Sequence, residues 1–152
     1  MRHIHLFVEG SEDQTQPVEV EQIGSNEYMI LYSPGLVEGI AAGDSIKITN
    51  ESSGEFEVVH RGGSVSIKLY SKHELANYME CIMSEFEALP SRFDGGVKHA
   101  CVWTVDLSQT NFGNIERSMK NIMRKVPDSK WWYGNVYDAN NKPLNWWKKN
   151  TS

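Results

Sequence analysis

His3 and His5 stand two apart in "HIHLF", so on an extended strand both imidazoles face the same way. An H-x-H pair can hold zinc when further ligands come from elsewhere. His60, His73 and His99 complete the set, and none stands at a paired ligand spacing. Surface histidines and no metal site are expected. Cys81 falls among apolar neighbours within a helical stretch, away from a helix N-terminus that could lower its pKa. Cys101 alternates with Trp103 and Val105, which reads as core. The chain has no G-x-S-x-G, H-E-x-x-H, P-loop or G-x-G-x-x-G. In "HRGGSVSIK" the Gly62-Gly63 pair reads as a hairpin turn with positive φ. Carboxylates are plentiful, but no spacing pairs them for acid–base work. These residues predict no catalytic residue, no cofactor and a protein that is not an enzyme.

Aromatic and acidic side chains offer binding chemistry instead. Four of the five tryptophans form adjacent pairs, Trp131–Trp132 and Trp146–Trp147. On a strand, Trp131 and Tyr133 share one face and Trp132 takes the other. One ring of each pair is expected to seal a helix layer while the other wedges between two halves of the fold. Trp146, Trp147 and Tyr137 are candidate anchors for a partner. Charge is uneven: residues 1–70 carry 4 Lys/Arg against 11 Asp/Glu, a net −7, whereas residues 71–152 carry 11 against 9, a net +2. Glu9, Glu12, Asp13, Glu19 and Glu21 lead that acidity. Such a surface repels nucleic acid and steers a basic protein towards it.

The elements that must position these residues follow from periodicity. "HIHLFVE", "VEVEQIG", "EYMILYS", "SIKITN", "EFEVVHR" and "SVSIKLYS" read as strands separated by turn residues. "LVEGIAAG" reads as a short helical turn. At Ser71 the period changes, and Ser71 with Glu74 spells a capping box. Leu75, Tyr78, Met79, Ile82, Phe86 and Leu89 follow at helical spacing. Pro90 and Gly95-Gly96 read as a loop, "KHACVWTVDL" as a strand, "FGNIERSMKNIMRKV" as a second helix stopped by Pro127, and "KWWYGNVYD" as a last strand. The predicted class is α+β. A small antiparallel barrel or curled sheet over residues 1–70 precedes an α/β sandwich half over residues 71–152; counted from Ser64 the order reads βαβαβ, ferredoxin-like (split βαβ), with two helices on one sheet face.

Composition agrees with that class. At 39% hydrophobic and 23% charged over 152 residues, the chain can bury a sizeable core. No apolar run is long enough to span a membrane, and acidic residues beginning at Glu9 argue against a secretory signal. Two cysteines make no disulfide framework. A cytoplasmic location without membrane association is expected.

The segments "AGDSIKI" and "HRGGSVSIK", within an alternating-strand front half and ahead of a βαβ-type tail, resemble a family of small bacterial α+β proteins. That family includes immunity proteins of toxin–immunity systems of the contact-dependent growth inhibition type. The resemblance implies an immunity protein that binds and neutralises the C-terminal domain of a cognate toxin by covering its active site. The acidic front half fits a basic partner of the nuclease kind. Two other readings stand beside it: a small-molecule-binding or regulatory module using the cleft between the halves, and a single-stranded RNA binder using the tryptophan pairs.

Overall fold

Alternating apolar residues build the first sheet. The computed structural model describes residues 2–12, 14–136 and 140. Strands β1 (Arg2–Phe7), β2 (Thr15–Gly24), β3 (Glu27–Ile30), β4 (Ser45–Asn50) and β5 (Glu55–His60) pair in sequence order as an antiparallel meander. Ile4, Leu6, Val18, Val20, Tyr28, Ile30 and Ile46 point inward and are buried, while Glu19, Glu21, Glu27 and Glu57 take the alternate, outer positions. The sheet curls until the Phe7 N–H donates to the Gly54 carbonyl at 2.9 Å, but it does not close into a barrel. Gly54 makes that approach possible. It has φ +78°, and a Cβ there would lie 2.5 Å from the His5 carbonyl oxygen.

The second sheet begins earlier than residue 71. Strand β6 (Ser64–Ser71) already belongs to it, so the crossover between sheets falls at Arg61–Gly63. There follow a 3-10 turn (Leu75–Tyr78), α1 (Met79–Glu87), β7 (Ser91–Gly96), β8 (Ala100–Asp106), α2 (Phe112–Lys125) and β9 (Ser129–Tyr133). The order β7-β8-β6-β9, antiparallel throughout, is the βαββαβ arrangement of a ferredoxin-like sheet. Val65, Ile67, Leu69, Cys101, Trp103 and Val105 face the helices and meet Ile82, Phe86, Ile115, Met119 and Ile122. Phe86 stacks on Trp103 at 3.9 Å and 2°, which adds about 1 kcal/mol beyond simple burial.

Four local expectations are corrected. The segment Ser91–Gly96 is a strand, because a bulge between Phe93 and Gly95 lets it pair with β8 despite its glycines. The capping box does not form. Ser71 stays in β6, its hydroxyl donating to the Pro127 carbonyl and accepting from the His73 N–H, while Glu74 pairs with Lys98 at 3.0 Å. "LVEGIAAG" contains no helix; Val37, Ile40 and Ala41 are buried in an irregular linker between β3 and β4. Gly62-Gly63 is the crossover between the sheets rather than a hairpin. A Cβ on Gly62 would fall 2.5 Å from the Gly43 carbonyl carbon.

Candidate functional site

Sheet alternation gives the second sheet a second face, away from its helices. On it lie Ser66 and Lys68 of β6, Ala100, Val102 and Thr104 of β8, and Trp132 of β9. The linker Leu31–Asp44 lies on this face, joined to it through Ser33–Thr104, Val37–Lys68 and Gly39–Gly134, and His3 of β1 with residues 16–19 of β2 borders the same space. A cleft of 850 Å³ opens between them. Tyr32, Pro34 and Leu36 of the linker, Val97 of the β7–β8 turn, and Val102 and Trp132 of the sheet give it apolar walls. Lys68 and Asp94 supply charge within it.

Three polar ties hold the linker down, and each follows from burial demanding a partner. The first surrounds Asp94, whose carboxylate is fully buried. It accepts from the Ser33 N–H at 3.2 Å, from Arg92 Nε at 2.7 Å and from the Thr104 hydroxyl. The Thr104 proton is thereby used, so in the 2.6 Å Ser33–Thr104 contact the Ser33 hydroxyl donates. Ser33 Oγ in turn accepts from the Ala42 N–H at 3.0 Å. The result is one directed chain from Ala42 through Ser33 and Thr104 to Asp94. Arg92 also donates to the Leu31 carbonyl and lies 4.5 Å from the Tyr32 ring centroid, which fixes that wall of the cleft.

The second tie is Asp44, also fully buried, which accepts from the Gly62 N–H at 2.8 Å and the Ala41 N–H at 3.0 Å, with Arg61 at 3.4 Å. Burial pushes its pKa up, and those donors pull the other way. Arg61 continues to the Gly39 and Asn135 carbonyls at 2.7 and 3.1 Å. The turn that the sequence singled out around Arg61-Gly62-Gly63-Ser64 is thus a structural joint.

The third tie is at the cleft itself. Lys68 Nζ donates to Glu38 Oε1 at 3.1 Å and to the Val37 carbonyl at 3.3 Å. Only 4% of the Lys68 side chain is exposed, against 31% for Glu38. Burial pushes the Lys68 pKa down, and Glu38 offsets part of that. Gly134 presses on the lysine stem; a Cβ there would lie 2.6 Å from Lys68 Cε.

The sequence-predicted residues separate. Trp131 packs with Tyr133 against the helix layer, and Trp132 takes the opposite face and lines the cleft, as alternation required. Glu19 and Glu21 share the outer face of β2, and Glu19 pairs with His3 at 3.3 Å. Glu9 and Glu12 stand exposed at the other end of the β1–β2 hairpin and do not join them. Asp13, Tyr137, Trp146 and Trp147 lie outside the described residues. Cys101 is buried, which raises its thiol pKa. Among the described residues no group of His, Cys, Asp and Glu could hold a metal ion, and no helix is long and apolar enough to cross a membrane.

Sequence reasoning missed Lys68, Asp94, Thr104, Ser33 and Tyr32 as neighbours. A lysine at the middle of "VSIKLYS" was the available signal, since it reads as solvent-facing unless a second layer covers that side.

A search among curated proteins finds no match. The fold is similar to a solved structure described as a novel crystal structure of a hypothetical protein from Neisseria gonorrhoeae, with a TM-score of 0.64 at 9% identity over 87% of this chain and 91% of that one. The family described as Domain of unknown function (DUF4265) matches residues 17–126, a span that carries every lining residue of the cleft except His3, Gln16 and Trp132, and the chain belongs to that family.

Proposed function

We propose that the protein binds a largely apolar small molecule in the cleft between its two sheets. The observation that carries this reading is the cleft itself: 850 Å³ with Tyr32, Pro34, Leu36, Val97, Val102 and Trp132 on its walls. Small-molecule sites are commonly about 300–1,000 Å³, mainly apolar, with a few placed polar groups. Here the ionisable groups that line the cleft are already matched, Lys68 by Glu38, Asp94 by Arg92 and Glu19 by His3. A neutral ligand with an aromatic or branched apolar body therefore fits better than a strongly charged one. Thermal-shift measurements across a panel of apolar metabolites test this. At least one should stabilise the protein, and Trp132→Ala should abolish that shift while leaving the unliganded fold intact. A panel without any stabilising compound counts against the reading.

A second reading keeps the immunity function. Glu21, Glu27 and Glu57 stand exposed or half-buried on the outer face of the first sheet with Glu19, and Lys47 is the cation set between Glu27 and Glu57 in the strand register. That face suits a basic partner, such as a toxin's nuclease domain. Co-expression should protect cells from the toxin, and reversing Glu19, Glu21, Glu27 and Glu57 to lysine should remove protection. Full protection by the reversed variant excludes this face.

A further inference from the structure

We propose that the Lys68 ε-amine forms an imine with the cleft's ligand, which would then be an apolar aldehyde or ketone, and that Glu38 carries the proton for this step. The inference rests on the cleft-binding reading and names the ligand's reactive group. Four observations converge on it. Lys68 is the lysine that lines the cleft, sunk among apolar walls with 4% of its side chain exposed. Among the described residues its two hydrogen bonds, to Glu38 and the Val37 carbonyl, leave one donor direction of the nitrogen uncommitted. Glu38 is the group that can take its proton. Oε1 lies 3.1 Å from Nζ, and Oε2 is buried with no partner among the described residues. Finally, Gly134 against Cε and Trp132 opposite Lys68 across the β6–β9 pairing hold the stem in place.

A buried lysine loses its proton more readily than an exposed one, so a neutral amine is attainable there. The ammonium gives one proton to the Glu38 carboxylate. The amine nitrogen then attacks the carbonyl carbon, a C–N bond forms, and the carbonyl electron pair becomes a hydroxyl after proton transfer from nitrogen. Glu38 protonates that hydroxyl, water leaves, and the nitrogen keeps its last proton as a C=NH+ iminium, the protonated imine, beside the restored Glu38 carboxylate. Ammonium plus carbonyl thus gives protonated imine plus water, with no oxidant or reductant. The surrounding apolar walls limit the water that would hydrolyse the product.

Naphthaldehyde is a suitable probe, because its ring matches the walls and its carbonyl can reach an amine. The protein is incubated with it and sodium cyanoborohydride, and the reduced adduct is located by peptide mapping. Naphthylmethanol, which has the same ring and no carbonyl, reports non-covalent binding through tryptophan fluorescence. The expected result is one adduct, on Lys68, formed ahead of every other lysine and lost in Lys68→Arg. Glu38→Gln should slow it about a hundredfold, the usual scale of general acid–base assistance. If Lys68→Arg fails to fold, the site of labelling in the wild type and the Glu38→Gln rate still decide. Binding of the alcohol without an adduct on Lys68, or labelling confined to surface lysines, overturns the imine and leaves the cleft reading standing. Failure of the alcohol and the aldehyde to bind removes both.

Discussion

Replacing Asp94 by alanine should unlatch the linker from the second sheet. The carboxylate is fully buried and accepts from Ser33 N–H, Thr104 Oγ1–H and Arg92 Nε. Arg92 is half-exposed and keeps its bond to the Leu31 carbonyl, so water can replace its lost partner. The Ser33 N–H and the Thr104 hydroxyl are in a buried setting, since both residues are less than a tenth exposed. Each orphaned donor costs about 1–3 kcal/mol, and a water entering the vacated space recovers part of it. A total of about 3 kcal/mol follows. For a domain of this size that corresponds to a fall in Tm of about 6–12 °C. Urea unfolding followed by tryptophan fluorescence measures it directly. Asp94→Asn keeps one acceptor oxygen but turns an NH2 towards a donor, so it should lose about half as much. The directed hydrogen-bond chain adds a sharper requirement. Asp94→Ala and Thr104→Val should couple by about 1 kcal/mol or more in a double-mutant cycle. Additive effects, or a loss below about 0.5 kcal/mol for Asp94→Ala, would refute the reasoning that this chain latches the cleft's wall.

Other perturbations report on separate parts of the fold. Gly62→Ala must push Gly43 aside, because its Cβ would sit 2.5 Å from a backbone carbon; a loss of about 1–3 kcal/mol in urea unfolding is expected, and an unchanged midpoint would mean the crossover is looser than described. The two neighbouring tryptophans should behave oppositely: Trp131→Ala costs about 2 kcal/mol of stability through the helix layer and spares ligand binding, whereas Trp132→Ala spares most stability and abolishes binding. Alkaline stability should carry the signature of Lys68. Its folded pKa lies below the ordinary 10.5, so between those values the unfolded chain holds a proton that the folded one has lost, and stability rises with pH up to that limit. Lys68→Met should flatten that rise; parallel curves for the two proteins would contradict it.

Periodicity carried most of the architecture. The apolar positions of α2 and the strict alternation in β6, β8 and β9 assign faces without reference to a partner, which is why the opposite fates of Trp131 and Trp132 could be foreseen. Strand β7 was hidden because Asp94-Gly95-Gly96 has turn chemistry, and only its neighbour β8 makes the segment extended. The capping box failed for a related reason: Ser71 has a better tertiary partner in Pro127 than in the helix it precedes. The cleft was least legible. Its ties join Ser33 to Asp94 and to Thr104 across sequence separations of 61 and 71 residues, and no local pattern records that convergence. Alternation says which side of the sheet Lys68 takes, not whether a second layer lies there. The acidic front half was visible in composition, yet the hairpin geometry divides it, with Glu9 and Glu12 at one end and Glu21 at the other.

Small molecules extracted from the purified protein and from an Ala100→Trp variant, compared by mass spectrometry, test occupancy of the cleft most directly. Ala100 lines the cleft on β8, and an indole there would fill its space. A carbonyl-bearing apolar compound, or its imine on Lys68, retained by the wild type and missing from the folded variant is the predicted result. Equal recovery from both proteins would contradict the assignment of the cleft as the binding site.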